Sequence, residues 1–281
     1  MPDIACLNGT ITPLNDAKVS VNDRGFLFGD GVYEVIRTYG SRPFRLEAHL
    51  DRLYQSLSQV RIVPNWERAT LTAWIDAVLA RAGHAETKIY VQVTRGVAPR
   101  NHPFPPVPPT TLVTATEIHP LPADVVRAGV AAISMPDIRW ARCDVKSLNL
   151  LPNVLARQAA LDAGAFEALF VGDGVVREGS SSNVFGVIGG ALVTPPLGPR
   201  LLPGVSRAYL LEVARDLGLT VHERDLSLAE LQAADEVFLT GTTIEVLGVT
   251  RIDGATIGNG TVGPVTRRLA ARFRPAARAA G

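Results

Sequence analysis

Proline punctuates this chain where no helix or strand can run through. Six prolines lie between Pro99 and Pro109, and each lacks a backbone N–H and fixes its own φ. The segment is therefore a loop. A second break, His119-Pro-Leu-Pro-Ala123, reads as a linker. Before it, strand and helix patterns alternate. Ile4–Leu7 and Thr10–Pro13 flank Asn8-Gly9, a hairpin signal because both turn residues accept positive φ. Tyr33–Tyr39 is apolar and β-branched, with Arg42–Arg45 returning beside it. Leu46–Val60 carries leucines at helical spacing, and a helix after Pro64 is expected to bury Trp66, Leu71, Trp74, Val78 and Leu79. Lys88–Arg95 and Thr111–Glu117 read as strands on either side of the proline loop.

Beyond the linker come short strands and turns: Ala168–Val171, Val175–Glu178, Val184–Ile188 and Ala191–Thr194. Helices are expected at 153–163, 206–217, 227–233 and 264–278. The pattern predicts an α+β chain of two domains, 1–118 and 124–281, joined by 119–123, with Lys146 in the second. A net charge of +1 from 28 basic and 27 acidic residues argues against nucleic acid or an anionic membrane as a partner held by bulk charge. No apolar run approaches membrane-spanning length, and no secretion signal opens the chain. Cys6 and Cys143 make neither a disulfide framework nor a zinc site, so no metal and a cytoplasmic location are expected.

Only three of the basic residues are lysines: Lys18, Lys88 and Lys146. Lys146 stands before the mostly apolar run Leu148–Leu151 and after Trp140 and Val145. It is either a solvated surface amine or a nucleophile towards carbonyls, since apolar surroundings disfavour a charged amine. Glu178-Gly-Ser-Ser-Ser-Asn is either a plain turn or a strand end presenting a carboxylate to a basic ring nitrogen, as a pyridoxal cofactor requires. Gly204-Val-Ser206-Arg207 opens a helix whose N–H groups suit a phosphate. Thr240-Gly241-Thr242-Thr243 ends a strand with small hydroxyl residues that suit an anion. Arg52, on a helix after His49, either faces solvent or adds charge to that phosphate. Arg100 and His102, two apart among stiffening prolines, suit a carboxylate.

Together these motifs resemble the fold-type IV pyridoxal-phosphate enzymes, which include branched-chain aminotransferases, aminodeoxychorismate lyases and D-amino acid aminotransferases. The matching stretches include Asp23-Arg-Gly-Phe-Leu-Phe-Gly-Asp-Gly-Val-Tyr-Glu-Val, His49-Leu-Asp-Arg-Leu, Val93-Thr-Arg-Gly-Val-Ala-Pro-Arg-Asn-His, the blocks around Lys146 and Glu178, and Leu202-Pro-Gly-Val-Ser-Arg. The Pro-Arg-Asn-His block is similar to that of the D-amino acid group.

The resemblance implies the two-domain fold-type IV architecture with pyridoxal 5'-phosphate at the domain interface. Lys146 would be the catalytic lysine, bonded to the cofactor and shuttling the proton. Glu178 would pair with the ring nitrogen, and Leu202 would pack on the ring. Arg52, the backbone of Val205 and of Gly241, Ser206 and Thr242 would hold the phosphate. Tyr33, Arg100 and His102 would bind the substrate α-carboxylate, the last two from a neighbouring subunit, which implies a homodimer. The implied reaction is ping-pong transamination between D-alanine or D-glutamate and 2-oxoglutarate or pyruvate. Gly241 departs from the family, which often has serine there, as does Ile244, where a polar residue is common. The rival readings are an L-branched-chain aminotransferase, an (R)-amine transaminase or the lyase. A non-catalytic module that keeps the cofactor site is another. A serine hydrolase using Ser180–Ser182 lacks a base at any recognisable spacing.

Overall fold

In the computed structural model, which describes residues 3–280, the chain starts as the Asn8-Gly9 turn dictates. Both turn residues have positive φ, at 50° and 86°. They fold β1 (Ile4–Leu7) onto β2 (Thr10–Pro13), with Leu7 opposite Thr10. A short helix α1 (Arg24–Phe28) is capped by the Asp23 carboxylate, which accepts from Gly25 N at 2.8 Å. Then follow β3 (Gly31–Tyr39), β4 (Arg42–Pro43), α2 (Leu46–Gln59), α3 (Arg68–Ala82), β5 (Thr87–Thr94) and β6 (Thr110–Glu117). The strands form one antiparallel sheet in the order β2-β1-β6-β5-β3-β4. Leu50, Leu53 and Leu57 of α2 and Leu71, Ile75 and Val78 of α3 pack on its inner residues Val32, Ile36, Ile89, Val91 and Val113. Cutting one such leucine to alanine typically costs about 2–5 kcal/mol.

The second half runs α4 (Ala123–Ala128), β7 (Val130–Pro136), α5 (Leu151–Asp162), β8 (Glu167–Gly172), β9 (Val175–Gly179), β10 (Asn183–Ile188) and β11 (Ala191–Thr194). It continues with α6 (Val205–Asp216), β12 (Val221–Glu223), α7 (Leu228–Gln232), β13 (Glu236–Gly241), β14 (Glu245–Ile252), β15 (Ala255–Thr256) and α8 (Pro264–Ala280). The strands make a mixed sheet in the order β12-β11-β10-β13-β14-β7-β8-β9, with β15 against β14. Phe185 and Phe238, opposite each other on β10 and β13, stack at 5.0 Å.

The chain divides into two compact units. One is Met1–His119 with Val145–Asn149 and Ala277–Gly281, and the other is Pro120–Asp144 with Leu150–Ala276. Lys146, expected in the C-terminal domain, therefore belongs with the N-terminal unit. The reason is backbone pairing: Lys146 O accepts from Tyr33 N at 2.9 Å, and Leu148 N donates to Gly31 O at 3.0 Å. Val145 joins the core under β3. Smaller differences concern element ends. Ala123, placed in the linker, starts α4. Trp66 lies before α3, and Ile75 shares the buried stripe on which Trp74 and Leu79 are only half-buried. The return strand after Gly40 stops at Pro43, because Arg45 takes up the left-handed conformation that precedes α2.

Candidate active site

The N-terminal unit supplies the candidate lysine and the substrate residues. Lys146 is half-buried, and its Nζ lies 4.3 Å from the centre of the Tyr33 ring. Its backbone is fixed twice, by the β3 pairing and by Lys146 N donating to Ser56 Oγ of α2 at 3.2 Å. Tyr33 contacts Tyr90, with ring centroids 5.7 Å apart, and the Tyr90 hydroxyl donates to Gln92 Oε1 at 2.6 Å. Burial, with Tyr33 beside it, pushes the Tyr90 hydroxyl up to about 12, so it stays a donor. Arg100 and His102 are exposed on the proline loop.

Arg52 is buried on α2 and is gripped by Glu34 of β3. Its Nε donates to Glu34 Oε1 at 2.7 Å and its Nη2 to Oε2 at 2.8 Å. His49 Nδ1 lies 2.7 Å from the same Oε2. A phosphate role for Arg52 would share the guanidinium with Glu34, a residue that motif spacing alone did not single out. The signal was present in the strand period: Val32, Glu34 and Ile36 fall on one face, and that face is the core. A carboxylate there requires a partner.

The C-terminal unit supplies the candidate cofactor residues. Glu178, at the end of β9, is buried. It accepts from Arg139 Nη1 at 2.5 Å, Asn183 Nδ2 at 3.1 Å and Leu202 N at 3.1 Å. Arg139 also forks onto Asp137, Nε to Oδ1 at 2.9 Å and Nη2 to Oδ2 at 3.0 Å. Burial alone would lower the Arg139 pKa, but the two carboxylates outweigh it and keep the guanidinium charged. One arginine between two carboxylates leaves this trio a net negative charge.

Val205 and Ser206 begin α6, whose N-cap Gly204 offers no side-chain cap. A side chain at Gly204 would collide with Asn183 Oδ1, so the helix start stays bare and its N–H groups suit a phosphate ester. In the same unit Thr240 Oγ1 is buried with no hydrogen-bond partner, next to Gly241 and Thr242. These donors fit a phosphate, and the negative trio at Glu178 fits a protonated ring nitrogen. The two family departures are neighbours: a Cβ at Gly241 would meet Ile244 Cγ1 at 3.2 Å. Among the described residues no group of His, Cys, Asp and Glu could hold a metal ion, and no helix is long and apolar enough to cross a membrane.

Comparison with known proteins agrees with this chemistry. The model of the family "Amino-transferase class IV" matches residues 31–252. A D-alanine aminotransferase of Bacillus licheniformis is 40% identical over 262 residues, covering 93% of each chain. One from Listeria innocua is 40% identical over 267 residues, covering 94% of this chain and 92% of its own. Among solved structures, a branched-chain amino acid aminotransferase of T.th. with pyridoxamine 5'-phosphate superposes with a TM-score of 0.92 at 32% identity. It is covered over 96% of its length and this chain over 100%. The chain belongs to the class IV aminotransferases, and its mixed α+β fold is theirs.

Proposed function

We propose that this chain is a D-amino acid transaminase that passes an amino group from a D-amino acid, such as D-alanine or D-glutamate, to 2-oxoglutarate or pyruvate. The observation that carries the reading is the pair Arg100 and His102, two carboxylate donors on a stiff exposed loop, in a chain 40% identical to a D-alanine aminotransferase. A site for apolar amines has no use for two such donors.

The cofactor is pyridoxal 5'-phosphate. When bound, it supplies an aldehyde to carry the amino group and a ring that takes up the electrons left at Cα. Lys146 would anchor the cofactor through Nζ, and its amine would remove the proton from the substrate Cα and later return a proton. Glu178 would keep negative charge for the ring nitrogen, and Leu202 would serve the ring. The N–H groups of Val205, Ser206 and Gly241, the hydroxyls of Ser206 and Thr242, and Arg52 would hold the phosphate. Tyr33, Arg100 and His102 bind the α-carboxylate and so fix which face of Cα presents its hydrogen to Lys146.

The functional unit is a homodimer in which Arg100 and His102 serve the neighbouring subunit's site. Two observations support this: their exposure, and the apolar residues Leu151, Val154, Leu155 and Leu161 that α5 leaves 55–68% exposed. The free, buried thiols of Cys6 and Cys143 fit a reducing cytoplasm.

The visible absorption spectrum of the purified protein tests the assignment. The band of bound cofactor should be lost on adding D-alanine and unaffected by L-leucine. Loss with L-leucine alone would move the chain to the branched-chain group and make Arg100 and His102 bystanders. Lys146→Ala should abolish turnover, and appreciable turnover in that variant would overturn the role of the lysine.

A further inference from the structure

The stretch Asp23–Asp30 has no part in the chemistry above, yet it grips the loop that carries Arg100 and His102. Arg24 is only 4% exposed. Its Nη1 donates to Asn101 O and its Nη2 to His102 O at 3.2 Å. Its Nε donates to Asp30 Oδ2 at 2.8 Å. Asp30 is also forked by Arg95, whose Nε and Nη2 donate at 2.8 and 3.0 Å. Arg95 in turn donates to Val60 O and Arg61 O at 2.7 and 2.8 Å, just after α2. A line of charge, buried at both arginines and half-buried at Asp30, therefore runs from the end of α2 to the main chain of residues 101 and 102. Phe28 of α1 adds a platform: the Arg100 guanidinium lies 5.1 Å from its ring centre and the His102 ring 5.5 Å.

The physics favours a positioning device over plain filling. Residues 99–109 lie outside any regular element, so no strand ladder fixes them. A guanidinium presents its donors in one rigid plane and so fixes two adjacent carbonyls and a carboxylate relative to one another, whereas the three donors of an ammonium radiate from one atom on a flexible stem. Two arginines around one carboxylate also leave the node one net positive charge beside residues that must attract an anion.

We propose that Arg24, anchored by Asp30 and Arg95, is a positioning residue for the substrate carboxylate, setting the placement of Arg100 and His102. The inference rests on reading those two residues as carboxylate donors.

The test uses the holoenzyme and the variant Arg24→Lys, which keeps the charge and loses the fork. KM for D-alanine and for the 2-oxo acid should each rise about tenfold while kcat stays within about threefold, because binding shared by ground and transition states is what is lost. The absorption band of bound cofactor should not move. Asp30→Asn, which frees the anchor, should give the same split. It carries the test if Arg24→Lys does not fold. Added to Arg100→Ala, Arg24→Lys should raise KM by less than it does alone. A raised KM in Arg100→Ala together with unchanged KM in both node variants would overturn the positioning role and spare the clamp. A fall in kcat at constant KM in Arg24→Lys would overturn it too. An unchanged KM in Arg100→Ala would instead remove the clamp itself, and this inference with it.

Discussion

Glu34 and Glu178 are both buried carboxylates held by an arginine, one in each unit, but they are built to different ends. Glu34 draws both partners from one helix: His49 and Arg52 are three residues apart on α2 and face the same point of β3. With His49 uncharged, these three groups sum to no net charge. Glu178 draws its partners from three separate segments: Arg139 after β7, Asn183 at the start of β10, and the backbone of Leu202. Its arginine is shared with Asp137, so one negative charge is left over. The same ion pair can thus be a strut that fixes an arginine or a face that presents a carboxylate. What decides is the charge count of the whole cluster.

The largest expected effect falls on the presented carboxylate. Glu178→Gln should lower kcat about 10²-fold, the order lost when a preorganised charge opposite a developing one is removed. Its thermal midpoint should stay close to wild type, since Arg139 keeps its two bonds to Asp137. Steady-state kinetics beside a melting curve would read both, and normal turnover would erase the distinction drawn between the two glutamates.

Glu34→Gln should weigh chiefly on stability. It strands Arg52 in a buried site, a defect that costs about 3–5 kcal/mol, to be read from urea unfolding at pH 7. Acid should reveal the same strut. Burial alone would push the Glu34 carboxyl up, but Arg52 and His49 outweigh it and hold the carboxyl down to about 2. A depressed carboxyl contributes stability that is complete above the ordinary value of 4.5 and lost as pH falls towards 2. Wild type should lose unfolding free energy across that window, and Glu34→Gln should lose less.

How legible each cluster was in the sequence follows from how it is assembled. The Asn8-Gly9 hairpin, the leucine stripe of α2 and the proline loop are local, and each was readable from a few neighbouring residues. Lys146 and Glu178 stood out through their flanking residues and the family resemblance. The convergence of Arg139 and Asn183 on Glu178 was not readable, because nothing local ties positions 139, 178 and 183 together. β14 escaped, and β13 was read only as the strand that ends at Thr240, because both sit inside the mixed sheet. Val237, Phe238, Leu239, Val246 and Leu247 are all buried, so no alternation marks the strands. The unit to which Lys146 belongs escaped because main-chain bonds to β3 decide it, and these leave no side-chain signature.

The smallest effect, and the sharpest probe of the strut, comes from His49. It is 2% exposed, and burial pushes its imidazole below the ordinary 6.5, with Arg52 and Lys146 adding to the push and Glu34 opposing it. At neutral pH the ring is therefore uncharged. Glu34 is ionised and can only accept, so the ring proton sits on Nδ1, the atom 2.7 Å from Oε2. On acidification the unfolded chain takes up a proton near 6.5, while the folded chain resists until lower pH. Stability contributed by this group is thus present above 6.5 and falls as pH drops below it. His49→Asn places an amide donor near the Nδ1 position and removes the titration. Its unfolding free energy should be flatter than that of wild type between about pH 7.5 and 5.5, either side of the ordinary imidazole value, while both should lose stability together from 4.5 towards 2. Parallel curves through the upper window would mean that folding leaves the imidazole at its ordinary value, and a wild-type curve that rises against the variant as pH falls would mean that His49 is charged in the fold and the Glu34 cluster net positive.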